Sequence, residues 1–219
     1  MKQITFYFDF ISPYAYLAFE HLPKALEGQS YHVRYRPVLF AGMLKHFGQL
    51  GPAEIHPKRT WTYRQMYWHA REHGIPIQAP EAHPFNPLPL LRLAIACGDG
   101  GYCNRHVAET IFRFVWRGGL NAADPARIAA LAVQLQATRS IDDQAVRDQL
   151  IANTSLAISE KVFGVPSMAV NEQVFWGFDA LPMLRQFLEG DPWFYGADWQ
   201  TASQLPMGVT RIPPGDKKT

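Results

Sequence analysis

Few residues of this 219-residue chain have the types and spacing of a metal, redox or phosphate site. His69 and His73 are four apart on a predicted helix, but no HEXXH motif or third ligand accompanies them, so no metal site is predicted. Cys97 and Cys103 do not form a C-x-x-C motif, and we expect core thiols rather than a redox pair. The glycine-rich segment 98–101 is interpreted as a loop because no strand precedes it.

One serine–proline pair and one valine–proline pair lie where predicted helices begin or end. Ser12 precedes Pro13, an order typical of a helix N-cap followed by its first helical residue. From these residues alone, Ser12 is as well explained by capping its helix as by any chemistry. Val165-Pro166 follows a helix stop and precedes a predicted strand, where proline is more often an ordinary trans turn residue.

A third candidate segment is Trp176-Gly177-Phe178-Asp179, which leads into another predicted helix. The N–H groups at a helix start favour an anion, so this segment is a candidate binding turn. Asp179 is alternatively the N-cap of that helix, and the two roles are compatible.

The elements that must position these residues begin with a strand, a helix and a strand. Residues 3–10 are β-branched and aromatic on both faces, which predicts a strand covered on both sides. A helix from Ser12 to Gly28 and a strand over 31–39, with Pro37 at its edge or end, follow. Such a βαβ unit predicts parallel strands.

The remainder of the chain is mostly helical by its periodicity, with a hairpin near its end. We expect a loop over 42–52, then helices over 58–73, 88–96, around 107–115, from 124, from 142 or 143 through 150, and separately over 156–162. Strands over 167–170 and 174–176 surround a turn, and a last helix covers 181–188. This order predicts one α/β domain interrupted by an all-helical insertion.

Composition excludes several functional classes. The formal charge of +2, from 21 Lys+Arg and 19 Asp+Glu, indicates no nucleic-acid partner. No apolar stretch approaches the length of a membrane span, so no membrane association is expected. The N-terminus has the pattern of a strand rather than of a signal peptide, and two cysteines are too few for a disulfide scaffold. A cytoplasmic protein is expected.

Five segments, taken together and in this order, resemble the 2-hydroxychromene-2-carboxylate isomerases, which are relatives of the kappa-class glutathione transferases and of the DsbA-type thioredoxin fold. They are FYFDFISPYAYLA at 6–18, GQLGP at 48–52, HPFNPLPLLRLA at 83–94, KVFGVPSM at 161–168 and WGFD at 176–179. The resemblance implies a glutathione cofactor, a small-molecule substrate and a homodimer. It also implies a thioredoxin-like domain interrupted by an all-helical insertion domain, with these boundaries: 1–40 and 155–190 for the glutathione-binding domain, 41–154 for the insertion and 191–219 for an irregular tail.

The resemblance assigns a catalytic role to Ser12. The related oxidoreductases have a C-x-x-C motif where this chain has Ser12-Pro13-Tyr14-Ala15, so dithiol exchange is excluded at this position. The Ser12 hydroxyl is instead expected to donate a hydrogen bond to the thiolate of glutathione. A charge-assisted bond of this kind contributes about 1.5–3 kcal/mol, enough to lower the pKa of a thiol.

Further cofactor contacts are implied by the same resemblance. Pro166 is expected to be cis and to leave the backbone of Val165 free for the cysteinyl part of glutathione. The γ-glutamyl part is expected on the turn made by Trp176, Gly177, Phe178 and Asp179, with Asp179 accepting from the amine. Family members often have a small polar residue at the position of Phe178, so only a backbone contact is expected there.

The substrate residues implied are Arg36, His46, Phe47, Lys58 and Asn86. Lys58 or Arg36 would pair with a substrate carboxylate. Arg36 is alternatively a solvated charge at a strand edge, and Asn86 a turn residue.

The function implied is that of a glutathione-dependent isomerase acting on an aromatic or bicyclic carboxylate through a transient glutathione adduct. Gln65 and Trp68 replace an acidic and a basic residue of the characterised isomerases, which leaves the substrate open. One alternative is a kappa-like glutathione transferase or peroxidase, and another is a non-catalytic thioredoxin-fold module that binds peptides. A weaker alternative is an oxidoreductase that uses Cys97 and Cys103.

Overall fold

The computed structural model describes residues 1–209 and is built around a four-stranded sheet of order β2-β1-β3-β4. Its strands are β1 (Lys2–Phe8), β2 (Tyr31–Pro37), β3 (Ser167–Val170) and β4 (Gln173–Trp176). β1 pairs parallel with β2 and antiparallel with β3, and β3 pairs antiparallel with β4. The parallel β1–β2 pair, connected by helix α1 (Pro13–Ala25), confirms the predicted βαβ unit.

The central strand β1 contributes to a hydrophobic core on each face of the sheet. Phe6 and Phe8 face the larger core, which includes α1 and the helix of residues 105–116. Tyr7 faces a smaller core with Met43 and Val165. The prediction of a strand covered on both sides is therefore confirmed.

Five helices lie between β2 and the helix that precedes β3. Their bounds are α2 (Phe40–His46), α3 (His56–His73), α4 (Leu88–Ala96), α5 (Arg105–Trp116) and α6 (Pro125–Gln134), with a 3₁₀ turn at Pro52–Glu54. The loop expected over 42–52 is wrong in its first part, because burial of Met43 in the smaller core stabilises α2 despite its glycine. Within residues 1–209 no helix is long and apolar enough to cross a membrane.

Helix α7 (Gln144–Ser159) corrects a second expectation, since it replaces the two separate helices predicted there. The polar residues that interrupt the apolar pattern are buried and paired. Asn153 donates to the carbonyls of Pro37 and Gly101 at 3.0 and 2.7 Å, and Thr154 accepts from the Leu39 N–H at 3.0 Å. The boundary expected near 155 falls inside α7, and the division into two domains stays a prediction.

The C-terminal part is more ordered than expected. After the β3–β4 hairpin, α8 (Leu181–Glu189) is followed by a 3₁₀ turn at Pro192–Tyr195 and by α9 (Ala197–Ala202), so an irregular chain from 191 onward is wrong for these residues. Buried Phe194 explains the order, because its ring lies 5.3 Å from that of Phe187 and 6.1 Å from that of Phe175. Residues 210–219 of the expected tail lie outside the described residues.

Candidate functional site

Ser12 caps helix α1 at the carboxyl end of β1. Its Oγ accepts from the Ala15 N–H at 3.2 Å, and Pro13 occupies the first helical position. The hydroxyl also donates to the Val165 carbonyl across 3.4 Å, which is long for an O–H donor. The single hydroxyl proton is therefore weakly held and can turn to a stronger acceptor, such as an anion, while the cap remains.

The loop of Val165-Pro166 lies against this helix start. The peptide bond between the two residues is cis, and within residues 1–209 the Val165 N–H has no hydrogen-bond partner. The Pro166 carbonyl accepts from the Gly177 N–H at 2.9 Å. These bonds bring the three candidate segments of the sequence into one place.

The third segment forms a tight turn between β4 and α8. Gly177 has φ of +99°, and residues 178–180 form a 3₁₀ turn. Trp176 is 54% exposed and packs on Phe163 with 5.0 Å between ring centroids. Asp179 is exposed, and the residue that precedes α8 is Ala180, so the alternative of Asp179 as its N-cap is wrong. Its carboxylate and the first N–H groups of the turn are available to a ligand.

The side chain of Phe178 points into the protein rather than toward a ligand. Its ring lies 4.9 to 5.7 Å from the imidazoles of His21, His69 and His73. Burial lowers the pKa of His21 and of His69, and the neighbouring His73 lowers both further, which favours neutral, packed rings. Among residues 1–209 no three His, Cys, Asp or Glu side chains are arranged to hold a metal ion.

Tyr14 joins the site to the helical part of the chain. Its hydroxyl donates to Gln65 Oε1 of α3 at 2.7 Å. Burial, and then the negative charge of Asp179, raise the pKa of Tyr14 to about 12, so it stays a neutral donor. Sequence reasoning did not assign Tyr14 to the site, because an aromatic residue in the first turn of a helix is typical of packing.

Four of the five predicted substrate residues are exposed: His46, Phe47, Lys58 and Asn86. His46 ends α2 and Phe47 follows it, whereas Lys58 lies in the first turn of α3. Asn86 Oδ1 accepts from the Leu88 N–H at 3.1 Å, which is the turn role considered for it. In residues 1–209 no hydrogen bond joins these side chains to Ser12.

Arg36 differs from the other four because it is only 8% exposed. Its guanidinium lies 4.3 Å from the ring centroid of Tyr102 and 5.9 Å from that of Tyr7, and its Nη2 donates to the Tyr102 hydroxyl. The alternative of a solvated strand-edge charge is therefore wrong. Packed between these rings, Arg36 is not presented to solvent as the other four are.

Comparisons with known proteins agree with this architecture. The profile described as the DSBA-like thioredoxin domain matches residues 3–189. The chain belongs to this DsbA-like thioredoxin family. Both the β2-β1-β3-β4 sheet and the helices between β2 and β3 are thus parts of a family fold, which confirms the predicted fold class of a thioredoxin-like domain with an inserted helical segment.

Within the DsbA-like family, several relatives are enzymes. The chain is 28% identical over 198 residues to a 2-hydroxychromene-2-carboxylate isomerase of Pseudomonas sp. (strain C18), covering 86% of this chain and 91% of the relative. It is 25% identical over 206 residues to glutathione S-transferase kappa 2 of Caenorhabditis elegans, covering 85% and 92%. A solved 2-hydroxychromene-2-carboxylate isomerase superposes with a TM-score of 0.72 at 23% identity, covering 93% of this chain and all of that one. The resemblance stated from the motifs is confirmed.

Neither cysteine of this DsbA-like chain readily forms a thiolate. Both are free, and burial raises the pKa of Cys97 and, more strongly, that of Cys103. We expect the wild type and the double variant Cys97→Ser/Cys103→Ala alike to lack insulin-reductase activity. Reductase activity present in the wild type and lost in the variant would contradict this expectation.

Proposed function

We propose that the protein is a glutathione-dependent isomerase of the 2-hydroxychromene-2-carboxylate isomerase type, acting on an aromatic or bicyclic carboxylate. The observation that carries the proposal is the hydroxyl of Ser12, which lies at the start of α1 and donates only a long bond to the carbonyl of Val165, whose own N–H has no partner within residues 1–209. Because the chain has no cysteine at this position, a thiolate bound there would have to come from a ligand.

The residues present fit glutathione along its length. The Val165 backbone lies beside Ser12, and its N–H, which no other group of residues 1–209 accepts, suits the cysteinyl part. The backbone of the 178–180 turn suits the γ-glutamyl carboxylate, and exposed Asp179 is an acceptor for the amine. Trp176 is half-exposed directly before this turn, where its ring would contact the bound cofactor.

Glutathione, when bound, supplies a thiolate that adds reversibly to the unsaturated substrate. Ser12 would hold that thiolate by donating its hydroxyl proton, which stabilises the negative charge and lowers the pKa of the thiol. Val165 and the turn before α8 would fix the rest of the cofactor, so that sulfur and substrate meet in one orientation. Tyr14, neutral and anchored to Gln65, would keep α3 against the site.

The substrate would enter from the side of α2 and α3. Lys58 is exposed there and suits a carboxylate, and His46, Phe47 and Asn86 would line the remaining space. Arg36 is too buried to meet the substrate directly and would act through Tyr7 and Tyr102. We further propose a cytoplasmic homodimer, consistent with the free cysteines.

A kappa-like glutathione transferase is the second candidate, favoured by the 25% identity to the Caenorhabditis elegans protein. Both candidates use the same Ser12 site and differ in what happens to the cofactor. An isomerase returns glutathione unchanged, whereas a transferase consumes it.

The test is calorimetric titration of the full chain with glutathione, followed by an assay with 2-hydroxychromene-2-carboxylate in which total thiol is measured. We expect saturable binding, conversion of the substrate and no loss of thiol. Loss of thiol in step with turnover would favour the transferase. Absence of binding at millimolar glutathione would contradict both the isomerase and the transferase, and the alternative of a peptide-binding module would remain.

Tryptophan fluorescence locates the bound cofactor. The chain has six tryptophans, of which Trp176 and Trp193 are similarly exposed at 54% and 45%. Glutathione should quench the wild type and the Trp193→Phe variant more than Trp176→Phe, because Trp176 belongs to the turn at the site, whereas Trp193 packs on Phe194 and Trp199. Equal responses of the two variants would place the ligand elsewhere.

A further inference from the structure

The backbone of Ile11, directly before Ser12, is held from both sides by side chains to which no role has been assigned. Its N–H donates to Asp9 Oδ1 at 3.1 Å. Its carbonyl lies 2.7 Å from His83 Nε2. The Ser12 N–H in turn donates to the Asp9 carbonyl at 3.1 Å. The conformation that presents the Ser12 hydroxyl is therefore set by Asp9 and His83.

Asp9 is a buried carboxylate without a counter-ion. Its side chain is fully buried, and within residues 1–209 it forms no ion pair. Oδ2 accepts from the N–H of Phe40, the first residue of α2, at 2.9 Å. The charged residues of α2, Lys45 and His46, are exposed, and no acidic or basic residue lies in the first turn of α1. Burial of a carboxylate without a counter-ion costs stability, and the two N–H bonds offset only part of that cost, since the pKa of Asp9 is still raised.

His83 links the same backbone to α3. The Ile11 carbonyl can only accept, so the network assigns the proton to Nε2, and Nδ1 then accepts from the Tyr63 hydroxyl at 2.6 Å. Arg59 of α3 donates to the His83 carbonyl at 2.9 Å. Burial, and less strongly the charge of Arg59, lower the pKa of His83, and the bond to Ile11 opposes them. A neutral ring keeps this one-donor, one-acceptor geometry.

We propose that Asp9 and His83 are positioning residues that clamp Ile11 and thereby aim the Ser12 hydroxyl at the ligand thiolate. The inference rests on the proposed function for the identity of that ligand, but the clamp itself is a property of the ligand-free chain. Because Asp9 also holds the start of α2 and His83 is held by α3, the clamp connects Ser12 with the two helices that carry His46 and Lys58.

The clamp is tested first without any ligand, by following the amide NMR signals of Ile11 and Phe40 against pH. Burial raises the pKa of Asp9 to about 7, against the lowering effect of the two N–H donors. Both amides should therefore shift together with a midpoint near 7, and the shift should vanish in Asp9→Asn. Amides that shift with different midpoints, or that still titrate in Asp9→Asn, would overturn the clamp.

Stability separates positioning from a structural role. The pKa of Asp9 is about 7 in the folded chain and near 3.8 when unfolded, so the folded chain binds the extra proton between these values. Wild-type stability should fall as pH rises from about 4 to 7 and then level off. Asparagine does not ionise, so Asp9→Asn should lose this pH dependence of stability between about 4 and 7. It should also lose glutathione affinity about 10-fold, because its side chain can accept from only one of the two N–H groups. Parallel loss of stability and affinity at every pH would indicate a structural role only.

His83 is tested by a matched pair of variants. His83→Phe keeps an aromatic ring but removes the N–H donor to the Ile11 carbonyl. In His83→Gln the side-chain Nε2 can still donate to that carbonyl. We expect about 10-fold weaker glutathione binding in His83→Phe and near-wild-type binding in His83→Gln. Equal affinities in the two variants would overturn the role of His83. Failure of the wild type itself to bind glutathione would overturn the proposed function, whereas the amide titration would still decide the clamp.

Discussion

Replacement of Ser12 by alanine should leave a folded protein that binds glutathione without ionising it. The hydroxyl is the side-chain donor at the start of α1, and without a ligand it donates to the Val165 carbonyl across 3.4 Å. A bond to a charged acceptor is worth about 1.5–3 kcal/mol, so the ionised fraction of bound thiol should fall about 10- to 100-fold. Ultraviolet thiolate absorbance of the complex, measured against pH, gives this fraction directly.

The control must account for the helix cap that Ser12 also provides. Loss of a cap costs about 1 kcal/mol in stability. Asp124 caps α6 in the same way, accepting from the Ala126 and Arg127 N–H groups at 2.8 and 3.1 Å. Asp124→Ala should therefore match Ser12→Ala in lost stability and keep wild-type thiolate absorbance. An identical loss of absorbance in both variants would mean that Ser12 acts only through its helix.

Replacement of Gly177 by alanine should have the second large effect, by deforming the turn that carries Asp179. The backbone at Gly177 has φ of +99° and ψ of 164°, a region that is nearly exclusive to glycine and costs other residues about 1–3 kcal/mol. A Cβ there would also collide with Asp179 Oδ1. We expect at least a tenfold loss of glutathione affinity by calorimetry, together with a lower melting temperature.

Gly190 is the matched control for the backbone strain alone. It has φ of +84° at the end of α8, and an added Cβ would meet nothing within 4 Å. Gly190→Ala should lose about 1 kcal/mol of stability and retain affinity.

If Gly177→Ala does not fold, Asp179→Asn tests the same turn, because it keeps the size of the side chain and removes its charge. It should weaken binding on its own. Wild-type affinity in Asp179→Asn would contradict the role of the carboxylate.

The three segments of the candidate cofactor site could be identified in the sequence because each is a short, continuous stretch of the chain. Ser12 at a helix start and the turn at 176–179 each have a short-range pattern that predicts the local backbone. At Val165-Pro166 the local pattern favours a trans bond, which is wrong, and only the family resemblance predicts the cis bond that the structure has. The structure brings them together through bonds from Ser12 to Val165 and from Gly177 to Pro166.

The errors in the fold came from burial that no local pattern reports. Helix α2 forms around Met43, and α7 continues through Asn153 because its amide is paired with two distant carbonyls. The helix of residues 197–202 follows the burial of Phe194. In each case, partners far away in the chain outweigh weak local propensity.

The sequence by itself determined the initial βαβ unit, the hairpin near residues 167–176 and the absence of sulfur at the start of α1. Only the tertiary structure decided that Arg36 is buried between two tyrosines, that Phe178 packs on three histidines and that Asp9 and His83 meet at Ile11. The physical reason is that hydrogen bonds and ring contacts between different elements depend on how those elements pack. Periodicity reports which face of an element is buried, and it does not report what that face meets.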